Sequence, residues 1–145
     1  MADAMGAWGG YELSKRLSLS MRDREIAIDR TCARCHCEYE RGVHVAFLAD
    51  RVEMSADQVT SLTHGASTDV CWTSARDRVL IDVCDALHDG SRIDNGLWER
   101  LSAQFDKAQI LDLLMLCGRY HAISFVANGV ELSLEDWAPQ FANVL

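Results

Sequence analysis

Proline occurs once in the 145 residues, at Pro139, and alternating β-branched and polar positions are nearly absent. Apolar residues instead recur three and four positions apart along almost the whole chain. A sequence without breakers and with that period buries its hydrophobic surface through helices. The expectation is an all-α fold, a single-domain helical bundle of about six to eight helices. The length suits one core and is short for two, so one domain is expected over 1–145: an N-terminal helix within 1–19, a core over 20–132 and a C-terminal helix within 133–145.

Local signals place the elements. A first helix is expected over Ala2–Leu17, although Gly6, Gly9 and Gly10 weaken it. Ser20 reads as the N-cap of a second helix, which carries Glu25, Ile26, Ile28 and Thr31 up to a cysteine cluster. A third is expected over Glu38–Arg51, and Ser55 caps a fourth that Gly65 stops. Ser74 starts a fifth with a one-sided stripe of Val79, Leu80, Val83, Cys84 and Leu87, and Asp94 caps a short sixth. From Asp106 to about Asn128 the chain is apolar around much of the helix circumference, which predicts a helix at the centre of the bundle or against another subunit. A last short helix, Ser133–Phe141, would carry Trp137.

The apolar fraction of 49% and charged fraction of 25% are ordinary for a globular protein. A net charge of -8, with 14 basic residues scattered along the chain, argues against a nucleic-acid partner. The longest apolar runs, such as Ile110–Cys117, contain Asp112 and are too short for a membrane span, and the N-terminus has no secretory pattern. A cytoplasmic protein with no membrane partner and with reduced cysteines is therefore expected, Cys84 and Cys117 being small core residues.

The chemistry concentrates in CARCHCEYERGVH, residues 32–44. One reading is metal, with Cys32, Cys35, Cys37 and His44 as ligands. Structural zinc sites draw their ligands from two separated elements, and all four lie here in one stretch, so no metal is expected. Another is a redox pair, Cys32 and Cys35, but it falls at the C-terminal end of the second helix, where the dipole raises thiol pKa values. The third counts back from His44: Glu40 lies four residues before it and Cys37 seven, along one stripe of the third helix. A thiol, a carboxylate and an imidazole in a row supply proton-transfer groups, and the bland alternative is a solvated helix face.

The run LSLSMRDREIAIDRTCARCHCEYERGVHVAFLA, with MSADQVTSL and the segments WTSARDRVLIDVCDALHDGSRID and LWERLSAQFDKAQILDLLMLCGRYHAISFVANGVEL, resembles the carboxymuconolactone decarboxylase family, which includes the alkyl hydroperoxidase D-like proteins. The resemblance covers about Trp8 to Leu132. It implies an alkyl hydroperoxidase D-like bundle whose site residues are Glu25, Cys37 and His44, with Glu40 standing where the peroxidase branch has its second cysteine. Without that cysteine the chain is similar to the decarboxylase-type branch. The resemblance then implies acid-base chemistry without a metal or organic cofactor on a small carboxylated or lactone-type metabolite. His44 would be the general acid or base, tuned by Glu40 or Glu25, with Cys37 a proton donor, a nucleophile or a packing residue. A thiol-dependent peroxidase or disulfide reductase, and a non-catalytic small-ligand-binding oligomer, are the alternatives. The family also implies a homo-oligomer, whether dimer, trimer or hexamer.

Substrate-facing walls are sought among Tyr11, Trp72, Tyr120, His121 and Phe125, each of which can equally be core packing. His121, within the most apolar helix, needs a partner or must face the site. His64 and His88 read as caps or surface groups, and His36 as a residue of the junction between two helices.

Overall fold

The computed structural model describes residues 2–12, 14 and 16–141. Among the described residues seven α-helices follow one another: α1 Ala2–Glu12, α2 Met21–Arg34, α3 Glu38–Leu48, α4 Ala56–His64, α5 Ala75–Gly90, α6 Asn95–Ser102 and α7 Lys107–Gly129, with a 3-10 turn at Asp50–Val52. There is no strand among the described residues. The fold is all-α, as the helical period requires.

The expected caps Ser20, Ser55, Ser74 and Asp94 hold the starts of α2, α4, α5 and α6, Ser20 and Ser55 in capping boxes with Asp23 and Gln58; a further capping box, Asp106 with Gln109, holds the start of α7. Each satisfies backbone N–H groups that the first turn leaves without partners.

The centre of the bundle is α2, which packs against α3, α4, α5 and α7. Every residue from Asp23 to Ala33 is buried, although half of them are polar or charged. Asp23, Glu25 and Arg30 are matched by side chains from the helices around them. Arg30 makes a two-pronged pair with Asp85 of α5, 2.7 Å on each arm, and donates to the Leu62 and Gly65 carbonyls. Asp23 receives the Arg76 guanidinium at 2.9 Å on both oxygens. Buried charges survive in a core only when paired in this way.

The apolar α7, expected at the centre or against another subunit, is one wall of this bundle and not its centre. Ile110, Leu113, Leu116, Cys117 and Tyr120 face inward, while Leu111, Met115, Phe125 and Val126 are more than half exposed. By length and composition α7 also passes for a membrane span, a feature the short apolar runs did not suggest; one face of it is buried in this bundle. Cys84 and Cys117 are core residues, their sulfurs 3.8 Å apart.

The ends differ from expectation. The first helix stops at Glu12 instead of Leu17, because Asp112 of α7 accepts the Tyr11 hydroxyl and both the N–H and hydroxyl of Ser18, drawing the chain off the helical path. Arg119 of α7 lies against α1 at Gly9, where a side chain would meet its guanidinium, and pairs with Glu12 at 2.6 Å. The last turn of the third helix, expected to reach Arg51, tightens into the 3-10 turn after Leu48. No α-helix forms over Ser133–Phe141: residues 132–141 cross α3 as irregular chain with a turn at 136–138, and 142–145 lie outside the described residues. There Trp137 meets Phe47 edge-on, the Phe141 ring lies beneath the Arg41 guanidinium, and Ala138 and Pro139 rest against Gly42. Pro139 disfavours helix at the residue before it, and these contacts replace the helical ones.

Candidate active site

The junction between α2 and α3 builds the site. Past Arg34 the chain makes a helix stop of the Schellman type: the His36 N–H bonds the Ala33 carbonyl and the Cys37 N–H bonds the Cys32 carbonyl at 2.8 Å. His36 carries the left-handed φ of 53° that the motif needs. This stop brings the side chains at its two ends together, and those are Cys32 and Cys37. The C-x-x-C pair is thereby split, for Cys35 turns the other way, toward His88.

Cys37 is the N-cap of α3, one residue before its expected place in the first turn, and is fully buried. Hydrogen bonding from the Cys32 thiol, opposed by burial and helped by the Glu40 backbone N–H and the Ser124 hydroxyl, lowers its pKa to about 6. Burial and the role of donor push Cys32 upward.

His44 sits two turns into α3, its side chain only 9% exposed. The Nδ1–H donates to Glu25 Oε2 at 2.7 Å, across the α2–α3 contact. The other Glu25 oxygen accepts from Arg24 Nε at 2.8 Å. On its far side, His44 Nε2 is 3.1 Å from the Tyr120 hydroxyl and 3.6 Å from Glu40 Oε1. Both glutamates therefore serve the imidazole, one at each nitrogen. Burial works against its charge, but the hydrogen bond to Glu25 and the nearby Glu40 carboxylate outweigh it and raise the pKa to about 10. The imidazolium is the resting form at neutral pH. Burial also lifts the Tyr120 hydroxyl above its ordinary pKa, so it stays protonated.

Sequence reasoning passed over Asp29. It lies one turn after Glu25 on α2, is fully buried with neither oxygen hydrogen-bonded, and burial raises its pKa to about 7. Its position four residues from Glu25 was the available signal.

Of the residues proposed as walls, only Tyr120 joins the His44 set. Trp72 is core, its Nε1–H donating to Ser61 at 2.8 Å. Tyr11 is partly exposed and donates to Asp112, and Phe125 is 70% exposed. His121 does find a partner, but it is His88, 3.2 Å away, which is thus no mere cap. His64 stays at a helix end, beside the Phe141 carbonyl. The three clefts described, of about 330, 380 and 240 Å³, are lined by other residues. The His44 set reaches water through Glu40, whose side chain is 22% exposed.

No protein-family model matches the chain, and no curated protein matches it by sequence. Solved structures do. A protein of unknown function from Agrobacterium tumefaciens, whose description proposes AhpD antioxidant defence, superposes with a TM-score of 0.80 at 17% identity, over 92% of this chain and 90% of that one. An uncharacterized peroxidase-related protein from Silicibacter sp. TM1040 gives 0.78 at 21% identity, over 96% of this chain and 73% of the other. The fold is therefore that of the AhpD-like, all-helical proteins.

Proposed function

We propose that this AhpD-like protein is an acid-base enzyme acting on a small carboxylated or lactone-type metabolite, with His44 as the group that delivers the proton. The observation that supports it is the buried 2.7 Å pair between His44 Nδ1 and Glu25, which leaves Nε2–H aimed at Tyr120 and the Glu40 edge. Glu25 fixes the ring and holds the charge; Nε2–H is the transferable proton. In a decarboxylation, the substrate's carboxylate carbon leaves as carbon dioxide, its bonding pair stays behind as a carbanion or enolate, and Nε2–H protonates that centre. Glu40, in contact with water, returns a proton to the imidazole. In an isomerisation or elimination the Glu40 carboxylate removes a proton and His44 gives one back. The test follows small keto acids and lactone acids in heavy water by proton NMR, reading loss of the carboxyl group and deuterium entry at carbon. His44→Asn is expected to lower the rate at least ~100-fold. Undiminished turnover in that variant refutes the role.

A second reading is favoured by the Schellman stop, which sets Cys32 against Cys37. Two thiols so placed can reduce a small peroxide to alcohol and water while becoming a disulfide, to be reduced again by an external thiol. Mass spectrometry after peroxide treatment separates the two: a Cys32–Cys37 disulfide with turnover that survives His44→Asn favours the thiols.

A further inference from the structure

Cys35, His88 and His121 belong to three different elements: the C-cap of α2, the last turn of α5 and the middle of α7. Their donor atoms nevertheless all lie within 4.8 Å of one another. Cys35 Sγ is 3.8 Å from His88 Nδ1, and that nitrogen is 3.2 Å from His121 Nε2. The His121 Nδ1–H donates to the Cys117 carbonyl at 2.8 Å, which leaves the Nε2 lone pair facing the other two groups. An imidazole oriented by a carbonyl on its second nitrogen is the usual support for a metal-binding histidine. Cys35 is held as well, since the Asn128 amide donates to its carbonyl at 2.9 Å.

The spacing fits an ion. Tetrahedral zinc, with bonds of about 2.0–2.1 Å to nitrogen and about 2.3 Å to sulfur, separates two imidazole nitrogens by about 3.4 Å and a nitrogen from a thiolate by about 3.6 Å. The observed 3.2 and 3.8 Å lie within a few tenths of an ångström of those edges. A hydrogen-bonded histidine pair alone explains the shorter distance but not the convergence of the sulfur. All three residues are half-buried, and His88 also lines the cleft of about 240 Å³ beside Arg34 and His36, a way in for an ion. Arg30 and Arg34 line the same cleft, and their charge is offset by pairing, Arg30 with Asp85 and Arg34 with Asp85 and Asp89.

We propose that Cys35, His88 and His121 form a zinc-class metal site, with the fourth position left to water or an incoming ligand. It shares no residue with the His44 set, and it differs from the contiguous Cys32, Cys35, Cys37 and His44 grouping, from which the fold turns Cys35 away toward His88. Ligands at 35, 88 and 121 follow no local spacing, so only the packing of α2, α5 and α7 reveals them.

The experiment uses untagged full-length protein stripped with a chelator and titrated with cobalt(II), then zinc in competition with a chromophoric chelator. One ion per chain is expected, with a sulfur-to-cobalt charge-transfer band and the intense visible bands of tetrahedral cobalt. Cys35→Ser should abolish the charge-transfer band, and either Cys35→Ser or His88→Asn should weaken zinc by more than the ~10–100-fold that losing a supporting partner costs. Cys71→Ser should change nothing. His88→Asn, nearer the surface, serves if the serine variant does not fold. Absence of the band in the wild type, or zinc affinity unchanged in the folded variants, overturns the site.

Discussion

His44 is buried beside carboxylates from two helices, Glu25 and Asp29 of α2 and Glu40 of its own α3, with the Tyr120 hydroxyl of α7 closing the fourth side. Its raised pKa ties protonation to folding. The unfolded imidazole loses its proton near 6.5 and the folded one near 10. The stability this group supplies is therefore whole below about pH 6.5, shrinks as pH rises, and is gone above about 10. Cys37 has the opposite sign, because its lowered pKa adds stability as pH rises from about 6 toward 9. The wild-type curve alone mixes the two. Urea denaturation of wild type and His44→Asn isolates the histidine: the difference between them should be about 3–5 kcal/mol near pH 6, the usual cost of breaking a buried pair, and should diminish steadily to pH 10. A difference that does not change with pH would mean that His44 is buried neutral.

The stop between α2 and α3 does two jobs, since it reverses the chain and parts Cys35, which faces His88, from Cys32 and Cys37, which meet. His36 pays for that turn by holding φ at 53°, where a side chain with a Cβ is strained by about 1 kcal/mol. Glycine needs no such strain, so His36→Gly should raise stability by up to ~1 kcal/mol in thermal unfolding, leaving the spectrum of any bound cobalt intact. A loss of stability would show that the His36 ring makes contacts worth more than the strain. The same scale explains which elements could be read from the sequence. The capped starts of α2, α4, α5 and α6 were legible because a serine or aspartate decides each of them locally. The Ser133–Phe141 helix was misread because its contacts with Phe47, Gly42 and Arg41 are tertiary.

At the scale of the whole molecule, hydrophobicity singled out α7, yet the bundle is built round α2, whose Asp23, Glu25 and Arg30 look like surface residues until Arg76, His44 and Asp85 are brought to them from other helices. Binary patterning cannot see a charge that is neutralised by a residue fifty positions away. The candidate site divides along the same line. Glu40 and His44 were legible as neighbours on one helix and Glu25 through a family likeness, but Tyr120 as a direct partner, Asp29 as a third carboxylate and the Cys35, His88 and His121 cluster depend on the assembled bundle. The pair at the heart of that assembly is open to direct measurement by nitrogen-15 NMR of the histidine side chains across a pH series. His44 should keep both ring nitrogens protonated through pH 8 and titrate near 10, and Glu25→Gln should bring that titration down toward 6.5. A wild-type His44 that already titrates near 6.5 would contradict the buried imidazolium on which the proposed chemistry rests.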